Sequence, residues 1–430
     1  MTAAILSGAM VIDGTGADAR RASVLVEGDR IVAVGSDDEM RAAAGGDVAL
    51  IDVAGRWVMP GLINAHDHVC FKDVLTTPDT ATAYYEIYRQ PAATQVLRGA
   101  RGALVLLSQG VTSVRDAGTM DQLAIEVRDG IDSGMLVGAR VASCGSPISV
   151  PFEGEGVNPA GMTVDAEGAD EMRKMVRWLL ERGADYIKVK GHRRDFSSPR
   201  TRVYSPEEFA AAIDEAHTAG VRVTLHAWHT EVIEAAVEFG ADCVEHGNPL
   251  IQRPDLAEGM ADTGVAYVPN VTSWVPDPAT HDDTKNVKAA IAKEEVWPST
   301  RLAIESGVKV GVGTDLHTAR MSTEMLALRS LGMSAMDVLV AATRVGAEIL
   351  GWDTEVGTIE TGKTADLIVL QGDPLQDLAV LDEPDMVFKA GRRYDPHALA
   401  QAIGPVPVPP NFRENPGGWP RGSEASRAAY

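Results

Sequence analysis

The residues best suited to chemistry in this chain are the His66-Asp67-His68 triplet, His226, His246 and Asp315, with Lys188 between the triplet and His226. Each stands at the C-terminal end of an apolar, β-branched run and is followed by loop-like residues. Imidazoles and a carboxylate delivered one strand end at a time assemble a divalent metal site at the rim of a parallel barrel. His66 and His68, two apart on a strand, point to the same side and can reach one ion together. A lone buried histidine is ordinarily a hydrogen-bonded core residue. Several such groups ordered along one rim argue instead for a metal-dependent hydrolase.

The strands that must carry these residues read as eight apolar runs at 63–66, 111–116, 139–143, 185–190, 221–226, 243–246, 265–268 and 308–315. Helix-period segments separate most of them. One covers 206–219, started by Ser205 as N-cap and ended by Gly220; another covers 230–239, ended by Gly240. Eight strands alternating with helices over roughly 300 residues have the rhythm of an α/β (β/α)8 TIM barrel. A doubly wound sheet would want a glycine-rich phosphate loop after an early strand, and the sequence has none.

Both chain ends alternate short strands and turns that could not fold alone. They are expected to pair into one small β-sandwich from residues 1–56 and 355–402, beside a barrel of residues 57–354. Residues 403–430, rich in Pro, Gly and charge, read as an extended or disordered tail.

Composition narrows the partners. A formal net charge of −22 argues against nucleic acid and anionic membrane. No segment reaches the roughly 18 apolar residues of a membrane helix. The N-terminus lacks a basic region and reads as a strand, not a signal peptide. Cys70, Cys144 and Cys243 are odd in number and widely spaced, fitting buried small hydrophobes in a reduced cytoplasm. The expected partner is a small-molecule amide, and the expected assembly is a homo-oligomer.

Four stretches then give a resemblance: Val58-Met59-Pro60-Gly61-Leu62-Ile63-Asn64-Ala65-His66-Asp67-His68, Val244-Glu245-His246-Gly247, Gly313-Thr314-Asp315, and Gly357-Thr358-Ile359-Glu360-Thr361-Gly362-Lys363-Thr364-Ala365-Asp366-Leu367-Ile368-Val369. With them, residues 1–396 resemble the amidohydrolase superfamily. Tyr186-Ile187-Lys188 on the fourth strand looks like its binuclear branch, which holds ochratoxinase-like amidases and imidazolonepropionase-like proteins that are in fact Xaa-Pro and Xaa-Arg dipeptidases. The resemblance implies two divalent metals, normally zinc, bridged by a CO2-derived carbamate on Lys188. It also implies His66, His68 and Asp315 on the more buried ion, His226 and His246 on the second, and Asp315 as proton shuttle. A lysine must be neutral to react with CO2, which a desolvated barrel interior promotes. Lys190 shares the strand parity of Lys188 and competes for the bridge, though the motif places its lysine at 188.

The chain departs from these relatives in its loops. Where they carry an Ala-Thr-Gly-Gly-like stretch, it reads Val189-Lys190-Gly191-His192-Arg193-Arg194-Asp195; after the fifth-strand ligand it reads His226-Ala227-Trp228-His229. Arg193 or Arg194 could grip a carboxylate bidentately, or either could be a surface charge. Trp228 could wall an aromatic pocket, or simply pack. His229 and His317 are further substrate-contact candidates, and the tyrosines of 82–88 could form a lid or pack on the barrel. The expected reaction is hydrolysis of an amide bond in a dipeptide, N-acyl amino acid or aryl amide. The rival is a mononuclear activity, heteroaromatic deamination or imidazolone-ring opening. Such enzymes lack the fourth-strand lysine and set an acid a few residues past the fifth-strand histidine, where Glu231 is a poor match.

Overall fold

The first and last described strands lie in the same sheet. The computed structural model describes residues 3–44, 46, 48–71, 90–150, 162–191, 203–275, 289–315 and 320–404. Its first strands are β1 (Ala3–Val11), β2 (Arg20–Glu27), β3 (Arg30–Gly35), β4 (Ala49–Asp52) and β5 (Trp57–Pro60). Next come β6 (Leu62–Asp67), β7 (Val111–Asp116), β8 (Arg140–Ser143), β9 (Ile148–Ser149), β10 (Val164–Asp165), β11 (Ile187–Lys190), β12 (Val223–Ala227), β13 (Cys243–His246) and β14 (Ala266–Val268). The last are β15 (Leu367–Leu370), β16 (Met386–Lys389) and β17 (Arg392–Tyr394).

The terminal strands form one sheet in the order β17-β16-β15-β5-β1-β2-β3, with β4 beside β1. Strand period explains how it packs. Val58, Leu367 and Val369 face a core with Leu6, Val24 and Phe388. Their alternates Met59, Ile368 and Leu370 join the large core of the rest of the molecule. Both faces are therefore apolar, as a sheet lying between two layers requires.

The middle strands are parallel. β6, β7 and β8 form one sheet, and β10-β9-β11-β12-β13-β14 form another. Backbone hydrogen bonds run on between the two: Asp185 N–H donates to Ser143 O at 2.8 Å. On the other side the segment 308–315 bridges β14 to β6. Tyr267 N–H donates to Lys309 O at 2.8 Å, and Ala65 N–H to Val312 O at 2.8 Å. The expected eighth strand is thus present as bonding partners but not as a regular ladder; its one bridge is Tyr267 with Val310. Gly311 and Gly313 interrupt it, and close packing demands the second. A Cβ on Gly313 would stand 2.7 Å from the Cβ of His66 and 2.6 Å from Asn270 Oδ1.

The helices match their sequence signals. The helix Pro206–Thr218 carries a capping box in which Ser205 and Glu208 satisfy each other's backbone N–H groups. The helix Thr230–Phe239 ends at Gly240, φ 75°, the left-handed cap that glycine adopts most readily. Among the described residues no helix is long and apolar enough to cross a membrane. The tyrosines of 82–88 and the tail from 405 lie outside the described residues.

Candidate metal centre

His66 and His68 come from the end of β6 and the residue after it, Lys188 from β11, His226 from β12, His246 from β13, and Asp315 from the end of the 308–315 segment. They converge. Asp315 Oδ1 lies 3.1 Å from His66 Nε2 and 3.3 Å from His68 Nε2. The ring of His246 stands 5.2 Å from that of His66 and 4.3 Å from that of His226. His66, His68 and Asp315 form one group with ligand atoms within 4.8 Å of one another; His66, Glu245 and His246 form a second.

The histidines are oriented from behind. Nδ1 of His68 lies 2.7 Å from the carbonyl of Gly118, which fixes the N–H on Nδ1 and turns Nε2 towards Asp315. Nδ1 of His66 faces Glu245 Oε1 at 3.1 Å, a contact of charges more than an aligned hydrogen bond. The amide nitrogen of Asn270 lies 3.4 Å from His246 Nδ1. Asp67, the middle residue of the triplet, points elsewhere. Its carboxylate accepts from Asn64 Nδ2 and Thr314 Oγ1, both at 3.1 Å, stitching β6 to the segment that ends in Asp315.

Three residues here depart from ordinary backbone geometry: His246 at φ 65°, Asn270 at φ 50° and Asp315 at φ 47°. Left-handed backbone costs a non-glycine residue on the order of 1 kcal/mol. At His246 the turn is held by Tyr267 OH donating to its carbonyl at 2.6 Å. It also breaks strand alternation, so Glu245 and His246 both reach His66 although strand parity would part them.

Below the histidines lies a buried charge cluster that sequence reading missed. Glu245 contacts Lys188 Nζ at 2.8 Å through Oε2, and Arg115 Nη2 at 3.0 Å through Oε1. Arg115 also donates to Ala65 O at 2.7 Å and lies 5.2 Å from the centre of the Tyr186 ring. Burial resists charge on Glu245, but His66, Lys188 and Arg115 outweigh it and hold the carboxyl well below the usual range. Asp315 is likewise held low, against burial, by His66, His68 and His246. Burial brings the His246 imidazole down to about 3, so it presents neutral nitrogens as a metal ligand must. Lys188 is 3 % exposed on its side chain and faces this cluster; Lys190, one residue pair nearer the strand end, is only half-buried. Glu245 was visible in its motif, but nothing local distinguished it from a strand filler.

The other candidates scatter. The ring centre of Trp228 lies 4.9 Å from that of His226. His229 occupies the N-cap of the helix Thr230–Phe239 without a capping bond, and burial lowers its pKa. Arg193, Arg194 and His317 lie outside the described residues.

The donor set of imidazoles and carboxylates suits a divalent cation such as zinc. The profile of the Amidohydrolase family matches residues 57–394. The chain belongs to that family. An imidazolonepropionase-like composite domain of bacteria also matches residues 24–46, which hold the end of β2, all of β3 and the helix Asp37–Ala44. The chain is 27 % identical to an ochratoxinase of Aspergillus niger over 435 residues, 91 % of this chain and 86 % of that one. It is 26 % identical to a 5-methylthioadenosine/S-adenosylhomocysteine deaminase of Symbiobacterium thermophilum over 407 residues, 86 % of this chain and 85 % of the other. A solved Xaa-Pro dipeptidase with methionine in its active site superposes with a TM-score of 0.78 at 26 % identity, covering 91 % of this chain and all of that one. Family members generally use divalent metals. The protein is an enzyme, a hydrolase acting on carbon–nitrogen bonds of small molecules.

Proposed function

We propose that this family member cleaves the amide bond of a small molecule such as a dipeptide, N-acyl amino acid or aryl amide, using two divalent metals, zinc by donor type, at the mouth of a (β/α)8 barrel. On this reading the barrel runs from β6 to residue 354. β5 (Trp57–Pro60), which the sequence assigned to the barrel, instead pairs with β1 and β15 in the terminal sheet that, with 1–56 and 355–402, makes the β-sandwich. The hydrogen bond that Asp185 N–H donates to Ser143 O, and those exchanged between 308–315 and both β14 and β6, support the closed barrel. One observation carries the function: Asp315 Oδ1 lies beside Nε2 of both His66 and His68, with His246, His226 and Lys188 on neighbouring strands.

Held there, two metals would supply a water acidified towards neutral pH and a polarised scissile carbonyl. His66, His68 and Asp315 would hold one, His226 and His246 the other, and a carbamate on Lys188 would bridge them. Carboxylation removes the cation that Lys188 now offers Glu245; Arg115 remains to pair that carboxylate. Asp315, at 22 % the most accessible of the ligands in contact, takes the proton from the nucleophilic water and gives it to the departing nitrogen. Glu245 and the Gly118 carbonyl keep the imidazoles turned towards the reaction.

Incubation with a mixed library of dipeptides and N-acyl amino acids, read by mass spectrometry in ¹⁸O-water, tests this. Label should enter a carboxylate, with release of a free amine or amino acid. Ammonia release with label on a heteroaromatic ring would move the protein to the deaminase class.

A further inference from the structure

Beside the His226–His246 half of the site stands an aromatic wall that the proposed chemistry does not use. Trp228, partly exposed, has its ring centre 4.9 Å from that of His226, planes tilted at 49°, and 6.1 Å from that of His246. It also meets Trp274, ring centres 5.4 Å apart and planes at 68°. Trp274 comes from the 3-10 turn Val271–Trp274 after β14. It is 6 % exposed, yet among the described residues its indole N–H has no hydrogen-bond partner. A buried indole N–H nearly always finds an acceptor, so an orphan beside a reaction centre points to an acceptor arriving with a ligand.

The turn that carries Trp274 is fastened deliberately. Glu324, fully buried on the helix Met321–Ser330, accepts from Val271 N–H at 2.7 Å, Thr272 N–H at 2.8 Å and the Thr272 hydroxyl at 2.6 Å. The same turn begins at Asn270, whose side chain approaches His246. Glu324 is therefore a positioning residue. It sets the indole of Trp274 and the contact to His246 as one rigid unit.

We infer that Trp228 and Trp274 form the specificity slot for a flat aromatic group of the substrate, with the Trp274 indole N–H donating to an acceptor at the edge of that ring. The inference rests on the amide-hydrolase reading and narrows it to amides with an aromatic or heteroaromatic ring on the side of the bond that lies against β12 and β14. A π face against indole prefers an offset or edge arrangement that a saturated ring of the same size cannot supply.

The test uses the metal-loaded enzyme and matched N-acyl amino acids: benzoyl, cyclohexanecarbonyl and the three pyridinecarbonyl isomers. The benzoyl compound should exceed the cyclohexyl one in kcat/KM by about three- to tenfold, and one pyridine isomer should exceed benzoyl by about tenfold. Trp274→Phe keeps a ring but removes the donor, and should erase the pyridine advantage while leaving the benzoyl-to-cyclohexyl ratio. Trp228→Leu should collapse that ratio; Trp228→Phe, the milder change, should retain part of it. Binding of benzoate and the pyridine carboxylates, followed by tryptophan fluorescence, reports on the slot without turnover. If no amide is cleaved but these acids bind with the same isomer preference, and lose it in Trp274→Phe, the slot stands and the amide reading falls. Cleavage with equal rates for flat and saturated rings, unchanged by either substitution, would refute the slot alone.

Discussion

Replacing Glu324 by Gln should change how stability depends on pH, with a sign and size that follow from its surroundings. Burial pushes the carboxyl up to about 7 from 4.5, against the three donors from Val271 and Thr272 that favour the charged form. A carboxyl with a raised folded-state pKa keeps its proton in the native state while the unfolded chain has already lost it. Its contribution is fully present below about pH 4.5 and is lost as pH rises through about 7. A rise of about 2.5 pH units at about 1.4 kcal/mol each gives roughly 3 kcal/mol, most of it between about pH 5 and pH 8. The Gln variant cannot titrate. Its amide nitrogen also faces an N–H where an oxygen now accepts, so it should be less stable at low pH. The measurement is the gap between the two proteins in denaturant-unfolding free energy across this range, which cancels the repulsion of the net −22 charge common to both. The gap should shrink by about 3 kcal/mol as pH rises, on the order of 4 °C in melting temperature for a chain of this length. A gap independent of pH, or one that widens, would show that the three donors win and Glu324 is ionised throughout.

Lys188→Ala should lower metal content at both positions, whereas Lys190→Ala should leave it near two ions per chain; elemental analysis of the purified variants decides, and the reverse order would transfer the bridge to Lys190. Asp315→Asn should cut kcat by about 10²–10⁴-fold in protein that still holds metal, and a near-normal rate in such protein would assign proton transfer to another group.

The candidate ligands His66, His68, His226, His246 and Asp315 were legible because each lies at or near the end of an apolar run, a purely local signal, whereas Lys188 lies inside β11 and was singled out by its motif. Also legible were the helix Pro206–Thr218, through its Ser205 and Glu208 box, and the stop at Gly240. What stayed hidden depends on partners distant in the chain. Arg115 and Glu245 are 130 residues apart, and each alone looks like an ordinary strand residue. Glu324 and Thr272 are 52 apart, on a helix and a turn whose docking no periodicity encodes. The segment 308–315 misled in a different way. Val308, Val310 and Val312 alternate as a strand should, but the glycines that let His66 and Asn270 approach leave too little ladder for a regular one. The broken parity at His246 hid Glu245 as well, since alternation would have sent the two side chains apart.

The position of β5 has a consequence for how this protein can be made. β5 leads directly into β6, the strand of His66, and its pairing partner β15 lies beyond the whole parallel array. On the ribosome, then, the first metal-binding strand emerges early but its lead-in stays one-sided until almost the entire chain has been synthesised. Val58 and Met59, both fully buried in the finished protein, must wait with an open edge through that interval. A nascent chain stalled before Leu367 would carry all six candidate ligands and still lack the strand that anchors the first two.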